Sequence, residues 1–404
     1  LSPTRRAAIA FAVVAGAALL LPPALVVLLA VALATAVVVD ALAVRAPIAV
    51  ERTVPSVLSR GVPGRIEVNA GNAFVRQPAP PDLHVDLDQG TITATRRGRH
   101  RVPPVAVRRT GPLGLGRWDR TDATQAGSAE VVVYPDLHLA RRLALALRKG
   151  QLADAGERVR GPLGLGTEFE SIRDYRPDDD IRQVNWRATV RLQRPMSNQY
   201  RVEQDRDVIC LVDAGRLMAA PVGDGRTRMD TALDAVAAVS LAADELGDRC
   251  GVVAFDRRLR RQVRPKRLGS AAVIAATFDL EPTDTDSDYD LAFRVVGGMK
   301  RGLVLVLTDL LDESAARPLV EAVPVLAKRH AVVVASASDP DLQALLRSGD
   351  NPYEAAVAVD VLDARHRVAA RLEGAGATVI EASPRGLPAA CVAAYVRLKA
   401  RARL

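Results

Sequence analysis

The sequence predicts an α/β protein in three parts: an N-terminal transmembrane helical hairpin, a small β-sandwich-like domain and a doubly wound α/β domain. Three observations carry this. Residues Ala7 to Val39 contain no charged side chain. Short apolar and β-branched runs, punctuated by Pro and Gly, follow as far as Val133. From Val208 onward, apolar runs alternate with longer amphipathic segments.

At 404 residues and 43.1 kDa the chain is long enough for two or three domains. With 49% hydrophobic and 25% charged residues it can bury a core and solvate a surface, which excludes global disorder. Cys210, Cys250 and Cys391 are too far apart for a CxxC metal site and read as reduced thiols. The net charge of +8 is a mild excess, and an aromatic content of 3% argues against a base-stacking nucleic-acid binder.

One helix through the whole uncharged stretch would be about 50 Å long, against a hydrocarbon core of about 30 Å. Pro22-Pro23 interrupts it, and proline lacks the amide a helix interior needs. Residues 1–45 therefore read as two transmembrane helices, about 7–21 and 24–39, that cross the lipid bilayer and are joined by a tight turn. Arg5 and Arg6 before the pair, and Arg45 and Arg52 after it, place both ends in the cytoplasm. The expected location is the inner (plasma) membrane, multi-pass, with cytoplasmic soluble domains. A cleaved signal peptide is the rival, but the second apolar stretch runs on past any cleavage site.

Residues 46–135 read as the β-rich domain. Its strand-like runs are Ile48–Val50, Arg65–Val68, Leu83–Leu87, Val105–Val107 and Val131–Val133. Arginines crowd it at 96, 97, 99, 101, 108, 109, 117 and 120. They read either as contacts to anionic headgroups or, more plainly, as a solvated strand face. Residues 136–160 read as a helical linker, with Leu139, Leu143 and Leu147 at four-residue spacing. Gly-Pro-Leu-Gly-Leu-Gly occurs at 111–116 and again at 161–166. Neither copy is followed by Gly-Lys-Ser/Thr, so turn chemistry is a better reading than a phosphate cradle.

In the C-terminal part, Val208–Asp213, Gly251–Phe255, Leu303–Asp309, Ala331–Ser336 and Ala377–Glu381 read as strands. Helical segments lie near Arg226–Leu246, Ala271–Phe278 and Tyr289–Gly297. Such alternation predicts a doubly wound sheet, which binds ligands at the strand carboxyl ends. Asp213 and Asp309 occupy two of those ends.

The densest stretch is 164–189, where Glu168, Asp174, Asp178, Asp179 and Asp180 alternate with Arg173, Arg176, Arg182 and Arg187. Phe169, Tyr175 and Trp186 are interleaved, in a chain otherwise poor in aromatics. The stretch predicts a folded brace against the α/β domain, with Trp186 as its buried anchor. Its pattern resembles the signature of the domain of unknown function 58 family. The matching positions are Gly164, Gly166, Glu168, Phe169, Ile172, Arg173, Tyr175, Asp179, Asp180, Arg182, Trp186, Glu203 and Asp213. Asp178 stands where the family usually has Gly. Arg97-Gly-Arg-His-Arg, Pro112-Leu-Gly-Leu and the paired apolar span also look like family features.

The resemblance implies a von Willebrand factor A-like domain over residues 161–404, together with the signature. That fold holds a metal through Asp-x-Ser-x-Ser, a Thr and a second Asp. Here Gly215 and Leu217 replace both serines, Ser287 lies near the Thr position, and Asp309 matches the last acid. Asp213, Ser287 and Asp309 are thus a degenerate set, and no cofactor is expected beyond a doubtful Mg²⁺. Asp284–Asp290 is acidic like a calcium loop, but Tyr289 and Val295 stand where an EF-hand needs Gly and Glu. An acidic helix start is the plainer reading.

The five histidines are scattered, and there is no HExxH, Gly-x-Ser-x-Gly or P-loop. The expectation is therefore a membrane-anchored protein-interaction module without catalysis. The resemblance implies a MoxR-type AAA+ ATPase as its partner, in assembly or maturation of other proteins. The alternative is a membrane-bound metal-dependent enzyme or hydrolase using the strand-end acids.

Overall fold

The computed structural model describes residues 1–121, 127–148, 168–176, 181–201, 205–223, 225–310, 313–348 and 351–400. The chain divides into two compact units, Leu1–Val133 and Tyr134–Leu404.

The first unit opens with strand β1 (Ser2–Pro3) and helices α1 (Arg5–Ala17) and α2 (Pro23–Ala43). Pro22-Pro23 divides the two helices, and Pro23 sits at the start of α2, where its missing amide costs nothing. The helices depart from the expected pair of spans. At 13 residues α1 is about 20 Å long, short of a bilayer core. With 21 residues and only 17% of its apolar window buried, α2 alone among the described helices is long and apolar enough to cross a membrane.

Short strands follow: β2 (Glu51–Thr53), β3 (Val57–Ser59), β4 (Gly64–Arg65), β5 (Glu67–Asn69), β6 (Phe74–Arg76), β7 (Leu83–Asp86), β8 (Thr91–Ala94), β9 (Gly98–Val102), β10 (Ala106–Thr110), β11 (Gly116–Thr121) and β12 (Ala129–Tyr134). Among the described residues they make four small sheets, ordered β1-β11-β10-β6, β3-β12-β9, β4-β8-β7 and β2-β5. Ile66, Leu83, Ile92, Val102, Val131 and Val133 form the main core. Ile48–Val50, expected as a strand, precedes β2 without joining it. The Arg-rich run became β9, where Arg99 pairs with Glu130 across the strands at 3.0 Å in solvent.

The 111–116 loop does cradle an anion, and the anion belongs to the chain itself. Asp40, in the last turn of α2, is 2% exposed. Its carboxylate accepts the backbone N–H groups of Leu113 (2.8 Å), Leu115 (2.8 Å) and Gly116 (2.9 Å). The glycines make this approach possible. A Cβ on Gly111 would collide with Asp40, and one on Gly116 would strike the Val37 carbonyl and lie 2.6 Å from the Ala41 amide. The same loop holds the start of α1: Thr4 donates its hydroxyl to the Gly114 carbonyl (2.6 Å) and its N–H to Leu115 (2.9 Å). The copy at 161–166 lies outside the described residues.

The second unit begins at Tyr134. Its first helix, α3 (Leu137–Arg148), was expected to be a linker, but it packs on α5 (Arg228–Glu245) and contributes Ala140 and Leu147 to the core. The rest of the expected linker lies outside the described residues. Strands β13 (Glu168–Asp174) and β14 (Met196–Arg201) form an antiparallel pair, joined through the short helix α4 (Trp186–Leu192).

The remaining elements build one mixed sheet. Its strands are β15 (Asp207–Asp213), β16 (Arg249–Phe255), β17 (Leu259–Arg267), β18 (Gly302–Leu307), β19 (Ala331–Ala337) and β20 (Thr378–Ala382), in the order β17-β16-β15-β18-β19-β20. All neighbours are parallel except β16 and β17. The helices between them are α6 (Ser270–Thr277), α7 (Tyr289–Gly297), α8 (Glu313–Ala327), α9 (Pro340–Ser348), α10 (Pro352–Gly374) and α11 (Leu387–Ala400). Every residue of β15 is buried, and its alternation feeds two cores. Val208, Cys210 and Val212 pack with α5 and α11, whereas Ile209 and Leu211 pack with α7, α8 and α10. Strand β17 escaped the sequence pattern because it is a charged edge, with exposed Arg and Lys and a proline at 265.

The Asp40 cradle is testable. Asp40→Ala leaves three backbone donors without their acceptor, at about 1–3 kcal/mol each. Thermal melting of the full chain in detergent should show a marked fall in Tm. Gly116→Ala should do at least as much damage. Melts like wild type for both variants would mean the cradle does not hold α2.

Candidate functional site

Chain connections run outward from β15 in both directions, so the sheet reverses its winding between β15 and β18. A crevice at the carboxyl ends of these two strands is where such sheets bind ligands. Asp213 closes β15 there, and Thr308-Asp309 follows β18.

Asp213 is buried and saturated with donors. Oδ1 accepts the Gly215 N–H (2.8 Å) and the Ser287 hydroxyl. Oδ2 accepts from the hydroxyls of Tyr289 (2.7 Å) and Thr308 (2.7 Å). Burial, reinforced by the adjacent Asp213 carboxylate, pushes the Tyr289 phenol well above its usual pKa range, so it remains a donor. The glycine at 215 now has a reason. A Cβ there would collide with Ser287 Oγ and lie 2.9 Å from the Thr285 carbonyl. Serine at 215 and the Ser287–Asp213 bond are mutually exclusive in this geometry. Backbone bonds from Thr283 to Ala214 (2.8 Å) and from Arg216 to Thr285 (2.9 Å) clip the acidic loop onto the strand end. Asp288 then caps α7, accepting the Leu291 N–H at 3.0 Å.

Asp309 makes its contacts elsewhere. Its Oδ1 receives Arg228 Nη1 (3.1 Å) from the start of α5 and Arg365 Nη2 from α10. Arg228 also donates to the Ala337 carbonyl (2.8 Å) and to Asp339 (3.3 Å), and Arg365 to Glu381 (3.1 Å). Burial is the largest influence on the Asp309 carboxyl and pushes it upward, while the two guanidinium groups act against it. Two arginines thus stand beside the acid that would have faced a metal.

A divalent cation needs oxygen ligands with free lone pairs and no competing cation. Ser287 joins Asp213, but Asp309 is committed to arginine, so the expected Asp213–Ser287–Asp309 set does not fit Mg²⁺. Among the described residues no cluster of three or more His, Cys, Asp or Glu is placed to hold a metal. The cysteines offer no nucleophile: all three are buried and free, and burial pushes Cys210 and Cys391 up to about 12.

Of the signature residues, Gly164, Gly166, Asp179, Asp180 and Glu203 lie outside the described residues, as does Asp178. Glu168, Phe169 and Arg182 are described by backbone only. Arg173 lies on β13, and the Tyr175 N–H donates to the Pro195 carbonyl (2.9 Å), tying the end of β13 to the start of β14. Trp186 corrects an expectation. It is 66% exposed, at the first position of a seven-residue helix with no buried residue, so it anchors nothing here. Among the described side chains of this hairpin Met196 and Ser197 are buried, and Asn185 caps the helix through the Ala188 N–H at 3.0 Å.

The sequence reading missed Arg228, Tyr289, Thr308 and Arg365. Thr308 carried a signal, since it stands beside Asp309 at a strand end. The two arginines carried none, because arginine on a helix normally faces water.

The family described as "Protein of unknown function DUF58" matches residues 171–375, half of the chain. The chain belongs to the DUF58 family. The match begins after Gly164–Phe169 and so covers only part of the signature. Among relatives, uncharacterized protein Mb1516 of Mycobacterium bovis and uncharacterized protein Rv1480 of Mycobacterium tuberculosis are each 26% identical over 188 residues, 44% of this chain and 56% of theirs. The DUF58 chain thus spans about half the length of the curated relatives it matches. Two solved structures are distantly similar. The conserved hypothetical protein BatB from Bacteroides thetaiotaomicron has 11% identity and a TM-score of 0.34, and the TFIIH p34 N-terminal domain has 15% and 0.29. Each alignment covers 48% of this chain and 99% of the other.

Three outcomes follow from this geometry. Asp309→Asn leaves two buried guanidinium groups without their shared charge and should cost about 3–5 kcal/mol in a urea titration. Asp286→Asn, which breaks an exposed pair with Arg216, should cost about 0–1 kcal/mol. Calorimetry with Mg²⁺ should show no micromolar binding; such binding, lost in Asp213→Ala, would overturn the arginine-occupied reading of the site.

Proposed function

We propose that this chain is a membrane-anchored protein-interaction module without catalysis of its own, whose α/β unit is von Willebrand factor A-like and presents its strand-end crevice to a protein partner. The observation that carries this reading is the Asp309–Arg228–Arg365 contact. The acids at the crevice already have internal donors and cations, which leaves them to shape a surface rather than to move protons or hold a metal. The groups around them, Arg216, Asp284, Asp286 and Asp288, are exposed, with Arg216 and Asp286 paired to each other and Asp288 capping α7. The partner we propose is a MoxR-type AAA+ ATPase, which would supply the energy for assembly or maturation of other proteins.

We further propose that α1 and α2 enter the bilayer as one apolar hairpin from the cytoplasmic side. Supporting this, Thr4 and Asp40 dock on the same loop, so the two open ends of the pair meet. The connecting turn presents Leu19 and Leu20, 90% and 89% exposed. Arg45 follows α2 directly, as expected of a cytoplasmic flank.

Three measurements test the reading. The full chain should resist carbonate extraction from membranes, and a reporter fused after Leu404 should be active only in its cytoplasmic form. A photo-crosslinker at Asp284 or Asp286 should capture an AAA+ ATPase in native membranes. Release by carbonate would sink the anchor. Hydrolase activity that disappears in Ser287→Ala, with no ATPase adduct, would sink the non-catalytic module.

A further inference from the structure

Just beyond α2, the 44–50 segment and one face of the β10–β11 hairpin enclose a cavity of about 360 Å³. Strand alternation decides what lines it. In the antiparallel register Val107 faces Arg120 and Arg109 faces Trp118, so these four side chains share one side of the hairpin. Arg108 and Asp119 lie on the other side and pair at 2.5 Å. The hairpin's one carboxylate among the described residues therefore serves the opposite face. Arg45 brings a third guanidinium to the cavity, and Val44, Ile48 and Val50 line its apolar part. Among the described residues, Arg45, Arg109 and Arg120 form no ion pair.

We propose that this cavity holds the phosphate of an anionic phospholipid headgroup, with an acyl chain lying along the exposed apolar side of α2. The proposal rests on the membrane-anchored reading. Three features select a lipid. Guanidinium groups grip phosphate oxygens in a two-pronged, charge-assisted fashion that favours an anionic ligand over a neutral one. Tryptophan settles at the headgroup level, where one end of its ring is wet and the other apolar. The cavity follows Ala43, the last residue of the apolar helix, and Val38, Val39 and Leu42 beside it are exposed. A soluble phosphate would use the arginines but gain nothing from Val44, Ile48, Val50 and Val107. A zwitterionic headgroup would leave the positive charge uncompensated.

The test is native mass spectrometry of the full chain in neutral detergent, titrated with dioleoyl phosphatidylglycerol or dioleoyl phosphatidylcholine, with and without excess inorganic phosphate. Phosphatidylglycerol should bind about tenfold more tightly than phosphatidylcholine. The Arg109→Gln, Arg120→Gln double variant should lose that preference. Arg45→Gln, on an exposed residue, should lose part of it. Arg108→Gln, on the opposite face, should keep it. The proposal is overturned if the double variant keeps the preference, if Arg108→Gln loses it equally, or if inorganic phosphate displaces the lipid. Lipid binding in detergent requires no insertion, and carbonate resistance requires no headgroup site, so either reading can fail alone.

Discussion

The carboxylate of Asp309 is held between two buried guanidinium groups, and much of the second unit converges on that contact. Asp309 follows β18, Arg228 opens α5, and Arg365 projects from α10. Through the second arm of each arginine the network reaches the Ala337 carbonyl at the end of β19, Asp339 beyond it, and Glu381 on β20. One anion therefore ties two helices to the carboxyl ends of three adjacent strands. Such a network is costly to desolvate and need not outperform a well-packed apolar core. Its effect lies in direction: once the charges are buried, α5 and α10 cannot slide without stranding one of them.

Asp213, one strand away, solves its burial differently. It uses four neutral donors: the Gly215 backbone N–H and three side-chain hydroxyls from outside β15. Gly215 is what admits Ser287 to that shell. Two acids at neighbouring strand ends thus have separate partners, one set neutral and one cationic. The loss of serines at 215 and 217 and the arrival of arginines at Asp309 act in the same direction. The crevice carries no hydroxyl at 215 or 217, and its second acid is paired with two arginines.

In the first unit the same physics operates at a helix end. Asp40 terminates an otherwise uncharged stretch, and its carboxylate is satisfied by backbone amides of the 111–116 loop rather than by a cation. The apolar helix is thereby bound to the β unit through directional hydrogen bonds and through glycines that permit backbone-to-backbone contact. A helix attached this way cannot rotate freely with respect to the strands that receive it.

Local pattern was enough for whatever depends on periodicity. The uncharged stretch, the break at Pro22-Pro23, the buried strands β15, β16, β18 and β19 and the strand-end placement of Asp213 and Asp309 were all legible, because burial on two faces demands continuous apolar runs. The family signature was legible through fixed residue types in register. What escaped had no local signature. Strand β17 is charged because it is an edge. Trp186 looked like an anchor by composition, yet the short helix that carries it leaves it in solvent. The linker segment turned out to hold α3 against α5. Above all, the partners of Asp309 lie 81 residues before it and 56 after it, and the cradle for Asp40 lies 73 to 76 residues away. Periodicity speaks about which face of an element is buried. Which charge meets which across the fold is decided only when the elements pack, because a buried ion must find its partner in space rather than in sequence.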